Sequence, residues 1–268
     1  MKPHLIAIDL DGTLLRDNKT ISDRTLKTVK KVQEMGHHVM IATGRPYRAS
    51  RIYYQQLGLN TPIVNYNGAY IHHPKDRTWG TFHSPMPLNI AKKVIDTCHK
   101  YNIRNIMAQV KDRVFLQNHD EAIMEFISFG NPKIKTGHVR ENLKNDPTSI
   151  LIHSREEEID TIRKTLSEEV GDFIEHRTSG SPWNIIEIIK AGINKAVGVK
   201  KVADTYQIPR ERILAFGDED NDLEMLKFAK FGIAMGNAID LVKEAAHDIT
   251  KTNEEDGIAD YLEKFFKL

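Results

Sequence analysis

Short apolar runs alternate with amphipathic stretches in the first third of the chain, and this alternation constrains the fold more than any other feature. HLIAI, residues 4–8, reads as a buried strand. SDRTLKTVKKVQEMG reads as a helix. Leu26, Val29, Val32 and Met35 form its apolar stripe, Ser22 or Asp23 its N-cap and Gly36 its stop. HVMIA is a second strand, PYRASRIYYQQLG a second helix and PIVNY a third strand. A βαβαβ order of this kind calls for parallel strands covered by helices on both faces.

The last third resumes the pattern. NKAVGVKKVADTYQI is a helix with Ala196, Val199, Val202, Ala203 and Tyr206 on one face. RILAF and FGIAM are strands; DNDLEMLKFA and DGIADYLEKFF are helices. The middle is different. SPMPLNIAKKVIDTCHKYN opens it as a helix, and the alternating segments NIMAQV, RVFLQ, SILIH, DFIEH and WNIIEII follow, which suits a mainly antiparallel sheet. Pro85, Pro87, Gly180 and Pro182 mark its edges. The expected architecture is α/β: a Rossmann-like parallel-sheet core, residues 1–83 and 188–268, with an inserted α+β cap domain, residues 84–187.

Composition narrows the classes of function. A formal net charge of +1 in 268 residues gives no basic field for a nucleic acid. The single cysteine excludes an internal disulfide and any cysteine-rich zinc site, and Cys98, at helical spacing from Val94, reads as a core residue. No apolar run approaches the roughly 20 residues that span a bilayer. The N-terminus is unlike a secretory signal, so the expected address is the cytoplasm, with no membrane partner.

Polar residues collect where the strands end. LIAI runs into Asp9, VMIA into Thr43-Gly44-Arg45, PIVN into Tyr66-Asn67-Gly68, ILAF into GDEDND, and GIAM into Gly236-Asn237. In open α/β sheets ligands bind at that edge. Asp9, Asp11, Asp218, Glu219, Asp220 and Asp222 would face one crevice. Two bare carboxylates about 4 Å apart repel by roughly 4 kcal/mol at an effective dielectric near 20. A hard divalent cation, Mg²⁺ first, answers an all-oxygen donor set. A hydroxyl, backbone N–H groups and an ammonium, as offered by Thr43, Gly44 and Lys195, suit phosphate oxygens. A carboxylate beside a cation can attack phosphorus, so Asp9 is the candidate for an aspartyl-phosphate and Asp11 for proton transfer. Periodicity alone would make Lys195 a solvated helix lysine.

DLDGT at Asp9–Thr13, ATGR around Thr43, Lys195 in GINKAVGV, GDEDND from Gly217 and AMGNA from Ala234 occur in that order along the whole chain. In this the sequence resembles the haloacid dehalogenase-like hydrolase superfamily, and within it the Cof-type phosphatases with an inserted, type IIB-like cap. The resemblance implies Asp9 as nucleophile and metal ligand. It implies Asp11 as acid/base with its backbone carbonyl on the metal, and Asp218 as the third protein ligand. Thr43, Gly44, Lys195 and Asn221 become phosphate binders, helped by the Leu10 backbone, and Asp222 supports the metal or Lys195 from behind. Glu219 stands where such proteins often have a small residue; it is carried as a further metal ligand or a solvent-facing group.

The expected function is Mg²⁺-dependent hydrolysis of small phosphate monoesters: sugar phosphates, nucleotide-like phosphates or a riboflavin-pathway phosphate. The expected partner is a phosphorylated metabolite, with the chain a monomer or weak homodimer. A phosphomutase with the same covalent intermediate and a non-catalytic phosphometabolite-binding protein remain as alternatives. His72, His73, Trp79, Trp183 and Asn184 are candidate substrate contacts, with packing or surface the favoured role for each.

Overall fold

The structure, a computed structural model, describes residues 2–179 and 184–268. The chain begins with β1 (Leu5–Ile8), α1 (Asp23–Glu34), β2 (His38–Ile41), α2 (Tyr47–Gln56), β3 (Ile63–Asn65), β4 (Tyr70–His72) and β5 (Thr81–His83). It continues through α3 (Leu88–Cys98), β6 (Asn105–Val110), β7 (Arg113–Leu116), α4 (Glu121–Ile127), β8 (Lys133–Thr136), α5 (Val139–Asn142), β9 (Ser149–His153), α6 (Ile159–Val170), β10 (Ile174–Ser179) and β11 (Ile185–Lys190). It closes with α7 (Lys195–Thr205), β12 (Ile213–Gly217), α8 (Leu223–Phe228), β13 (Phe231–Ala234), α9 (Asp240–Ala245), β14 (Asp248–Ile249) and α10 (Gly257–Phe266).

Two compact units result. One holds residues 1–45, 50–82 and 194–268; the other holds 46–49 and 83–193. The sequence reading drew the second boundary at 187. The strand there runs on to Lys190 because Ile174 and Glu175 pair with Lys190 and Ile189.

The first unit is built on a parallel sheet of order β14-β13-β12-β1-β2. Both of its faces are covered, so the inner strands β1 and β12 are buried at every position. Leu5, Ala7, Met40, Ala42, Ile213 and Ala215 pack with Val199, Val202 and Ala203 of α7 and Met225 and Leu226 of α8. Gly198 lets α7 close in: a Cβ there would lie 2.6 Å from the Val64 methyls. Helix α1 starts where Ser22 accepts a hydrogen bond from the Thr25 amide, a cap that contributes about 1 kcal/mol. It ends before Gly36 at φ 85°.

PIVN departs from the parallel expectation. β3 touches the sheet through one parallel bridge, Ala42 to Val64, and pairs antiparallel with β4. The fifth parallel strand is instead the two-residue β14.

The second unit carries a six-stranded sheet of order β10-β11-β9-β6-β7-β8. All its pairs are antiparallel except β7 with β8. Helices α3 and α6 cover one face through Val94, Ile95, Ile162 and Leu166. Cys98 lies in that core, and burial, with Glu169 nearby, pushes its thiol up to about 12, which suits packing rather than nucleophilic chemistry. Among the described residues no helix is long and apolar enough to cross a membrane.

At the start of β1 and β2 the backbone N–H of His4 donates to His37 Nδ1 at 3.0 Å, and the His37 ring stacks on Phe266 at 4.3 Å. A proton on Nδ1 would break that bond. Burial, with His4 alongside, lowers His37 from 6.5 to about 4. The unfolded chain therefore takes up the proton first, and this contribution to stability is present above pH 6.5 and lost as pH falls towards 4. Urea midpoints measured from pH 7 to 4.5 should fall less steeply in His37→Phe than in the wild type.

Candidate active site

Register assembles the site. Ile8 pairs with Phe216 on one side and Ile41 on the other, and the Asp9 amide continues the ladder by donating to Phe216 O at 3.1 Å. Asp9 therefore leaves the sheet beside Gly217-Asp218, and the 43–45 loop leaves from the neighbouring strand. Asn194 caps α7 by accepting from the Val197 amide, which sets Lys195 in the first turn.

Lys195 is fully buried. Its Nζ donates to Asp9 Oδ1 and Asp222 Oδ1, each at 2.7 Å. Burial works against the charge, but the two carboxylates outweigh it and hold the ammonium above its ordinary range. Asp222 Oδ2 accepts the amides of Asp218 at 3.0 Å and Glu219 at 3.2 Å. Both Asp222 oxygens are thus engaged. The Thr13 hydroxyl donates to Asp218 Oδ1 at 2.6 Å.

Asp9, Asp218 and Asp222 each place an oxygen within 4.8 Å of the others. Burial pushes the Asp9 carboxyl well above the usual range, and Asp222 and Asp218 add to this against the pull of Lys195. Asp218 rises to about 7, from burial first and then from the charge of Asp222. Three carboxylates facing one ammonium leave two formal negative charges uncompensated. The donors are hard oxygens, and the charge and spacing fit one divalent ion. Asp9 and Asp218 would hold it, since Asp222 is occupied by Lys195 and two amides.

The side chain of Asp11 lies elsewhere. Arg45 grips it at two points, Nε to Oδ2 and Nη2 to Oδ1, both 2.6 Å, and Lys19 Nζ adds a third contact at 2.9 Å. Burial alone would raise this carboxyl; Arg45 and Lys19 overcome it and bring it to about 2. Tyr53 steadies both cations: its hydroxyl donates to Lys19 O, and Arg45 lies over its ring.

Glu219, carried from the sequence as a further metal ligand or a solvent-facing group, is engaged at the start of a helix. Its side chain accepts the Asp222 amide while the Asp222 side chain accepts the Glu219 amide, a reciprocal cap on the turn entering α8. Its carboxylate stands outside the three-aspartate group because the helix start uses it.

Thr43 is buried, and its hydroxyl accepts the Arg45 amide. The Leu10 side chain is buried, and its carbonyl accepts the amides of Thr13 and Leu15. Asn221 Nδ2 donates to Asn67 Oδ1 at 3.2 Å.

The family model for haloacid dehalogenase-like hydrolases matches residues 6–262. The chain belongs to this family. It is 53% identical over 267 residues to the 5-amino-6-(5-phospho-D-ribitylamino)uracil phosphatase YitU of Bacillus subtilis, covering 100% of this chain and 99% of that one. It is 28% identical to the pyridoxal phosphate phosphatase YbhA of Escherichia coli, with 98% of each chain covered. A crystal structure of a haloacid dehalogenase-like hydrolase from Bacteroides thetaiotaomicron superposes with a TM-score of 0.86 at 28% identity, over 99% of this chain and 100% of that chain.

In this haloacid dehalogenase-like hydrolase, sequence reasoning passed over several residues of the site. Gly12, at φ 73°, has no room for a Cβ, which would fall 2.1 Å from Asp218 Oδ2. Its place in DLDGT was the available signal. Asn67 had only its place after PIVN, at the ligand-binding edge of the sheet, and Lys19 carried no signal. Of the candidate substrate contacts, His73 accepts the Lys75 and Asp76 amides in a turn, and Trp79 packs partly buried against the first unit's core. His72 is half-buried in β4, and the Asn184 carbonyl accepts the Ser154 amide. Trp183, with Gly180 and Pro182, lies outside the described residues.

Proposed function

We propose that this phosphatase hydrolyses 5-amino-6-(5-phospho-D-ribitylamino)uracil through a covalent aspartyl-phosphate on Asp9, with Mg²⁺ as cofactor. The chemistry is carried by one observation: a buried Lys195 joins Asp9 to Asp222 while Asp218 stands alongside. The substrate is supported by the 53% identity to a phosphatase of that name across the whole chain.

When bound, the ion supplies positive charge that offsets the transferring phosphoryl group and the carboxylates around it. Lys195 favours the ionised form of Asp9 against the burial that raises it and holds it in one orientation, and its charge lowers the repulsion between that carboxylate and a phosphate dianion. Asp9 attacks phosphorus, the P–O bond to the ribityl carbon chain breaks, and Asp11 gives a proton to the leaving alcohol. Asp11 then takes a proton from water as the water oxygen attacks phosphorus, which returns Asp9 and releases inorganic phosphate. As it stands, Asp11 is ionised by Arg45 and Lys19, the form that the second step requires. The first step requires that these cations let it go. Thr43, Gly44, Asn221 and the Leu10 backbone are assigned to the phosphate oxygens.

The test is release of inorganic phosphate from the aminouracil ribityl phosphate, pyridoxal phosphate, a set of hexose phosphates and p-nitrophenyl phosphate, with Mg²⁺ and with EDTA. The expected result is release that EDTA abolishes, with the highest kcat/KM on the aminouracil compound. A tenfold preference for another compound overturns the substrate. Isomerisation without release points to a phosphomutase, and binding without release to a sensor.

A further inference from the structure

Tyr66, Asn67 and Gly68 succeed one another with φ of 52°, 50° and 102°. Left-handed backbone costs a residue with a side chain on the order of 1 kcal/mol or more, and such strain persists only where its surroundings hold it. Tyr66 and Asn67 are both buried. The neighbours show what holds them. Gly68 backs onto the cap of α7: a Cβ there would lie 2.3 Å from the Asn194 carbonyl oxygen. The Tyr66 amide donates to Arg45 O at 3.3 Å, and the Asn67 amide to Thr43 O at 3.1 Å. The turn is therefore tied to the 43–45 loop on one side and to the start of the Lys195 helix on the other.

The Asn67 side chain joins the same parts. Its Oδ1 and Nδ2 stand 3.3 Å from where a Cβ on Gly44 would be, so a side chain at Gly44 would press on the carboxamide. Its Oδ1 accepts from Asn221 Nδ2 at 3.2 Å. Asn221 Oδ1 is buried and has no hydrogen-bond partner among the described residues. The bond to Asn67 thus sets which way the Asn221 amide points.

We propose that Asn67 is a positioning residue of the phosphate site, orienting the Asn221 carboxamide against the Thr43–Gly44 loop. This rests on the phosphatase reading given above. The left-handed backbone is the means. Asparagine tolerates it better than most residues, and in this conformation its side chain meets both loops.

Asn67→Gly separates this role from a structural one. Glycine adopts φ near 50° without strain, so the turn survives and only the carboxamide is lost. The melting temperature is expected to stay within about 2 °C of wild type. Titration of the Mg²⁺-loaded protein with inorganic phosphate should give a Kd raised about tenfold, with KM for p-nitrophenyl phosphate raised alongside and Mg²⁺ affinity unchanged. Asn221→Ala should give a similar loss, and the double variant little more than either one, because the two side chains act as a pair. That coupling is a ratio and remains readable if the Gly variant loses some stability. Wild-type phosphate affinity in Asn67→Gly, or losses that multiply in the double variant, would overturn the proposal. A wild-type protein that neither binds phosphate nor releases it from any monoester overturns the phosphatase reading instead, and the proposal with it.

Discussion

Asp9→Asn leaves a folded protein without turnover. An uncharged amide is a poor nucleophile and cannot form the acyl-phosphate, so kcat on p-nitrophenyl phosphate should fall roughly 10⁴-fold or more. The fold should tolerate the change, because Lys195 keeps its 2.7 Å bond to Asp222 and remains a paired buried cation. Phosphate binding should persist, since the substitution removes a negative charge from the site. The measurement pairs steady-state turnover with phosphate titration on the same preparation. Turnover that survives the substitution would remove Asp9 from the chemistry while leaving the fold intact.

Lys195→Met should damage stability more than any other substitution in the site. The ammonium is buried between Asp9 and Asp222, and its removal leaves two buried carboxylates without their shared partner. Breaking a buried pair in this way costs about 3–5 kcal/mol. Urea unfolding in EDTA is the appropriate assay, since a bound cation would mask part of the loss. The loss should be greater at pH 8 than at pH 5. Without Lys195 the Asp9 carboxyl, already raised by burial, rises further, so the folded form holds a proton that the unfolded chain gives up above about pH 4. Stability then declines as pH increases. A loss that is the same at both pH values would mean that Asp9 does not take up the proton.

The sheet and most of the site were legible because their signals are local. LIAI, VMIA and ILAF are apolar throughout, and the residues after them are polar. What escaped depends on partners distant in sequence. β14 is two exposed residues, Asp248 and Ile249, which form a strand only because Ile233 and Ala234 lie beside them. KIKT at 133–136 has no apolar run and pairs with β7 at the edge of its sheet. Lys195 reads as a surface lysine by period, yet carboxylates 186 residues before it and 27 after it bury its charge. Lys19 reaches Asp11 from a turn in which it adopts φ 61°. Glu219 was open between a metal and solvent by sequence, and its part in the cap at the helix start depends on Asp222 three residues on.

Central strand β1 has Ile213–Phe216 as one of its two neighbours, so the first strand synthesised waits for one of the last. Pairing across so long a separation is slow to nucleate. On the ribosome, β9, β6, β7 and β11 can meet each other well before β12 has emerged. The order of assembly also bears on safety inside a cell. Asp9 cannot meet Lys195, Asp218 and Asp222 until more than four-fifths of the chain exists, so a chain that ends before Asp222 lacks part of the proposed site. The same connectivity lets β1 pair with β2 early but leaves the other edge of β1, the one β12 fills, open during synthesis.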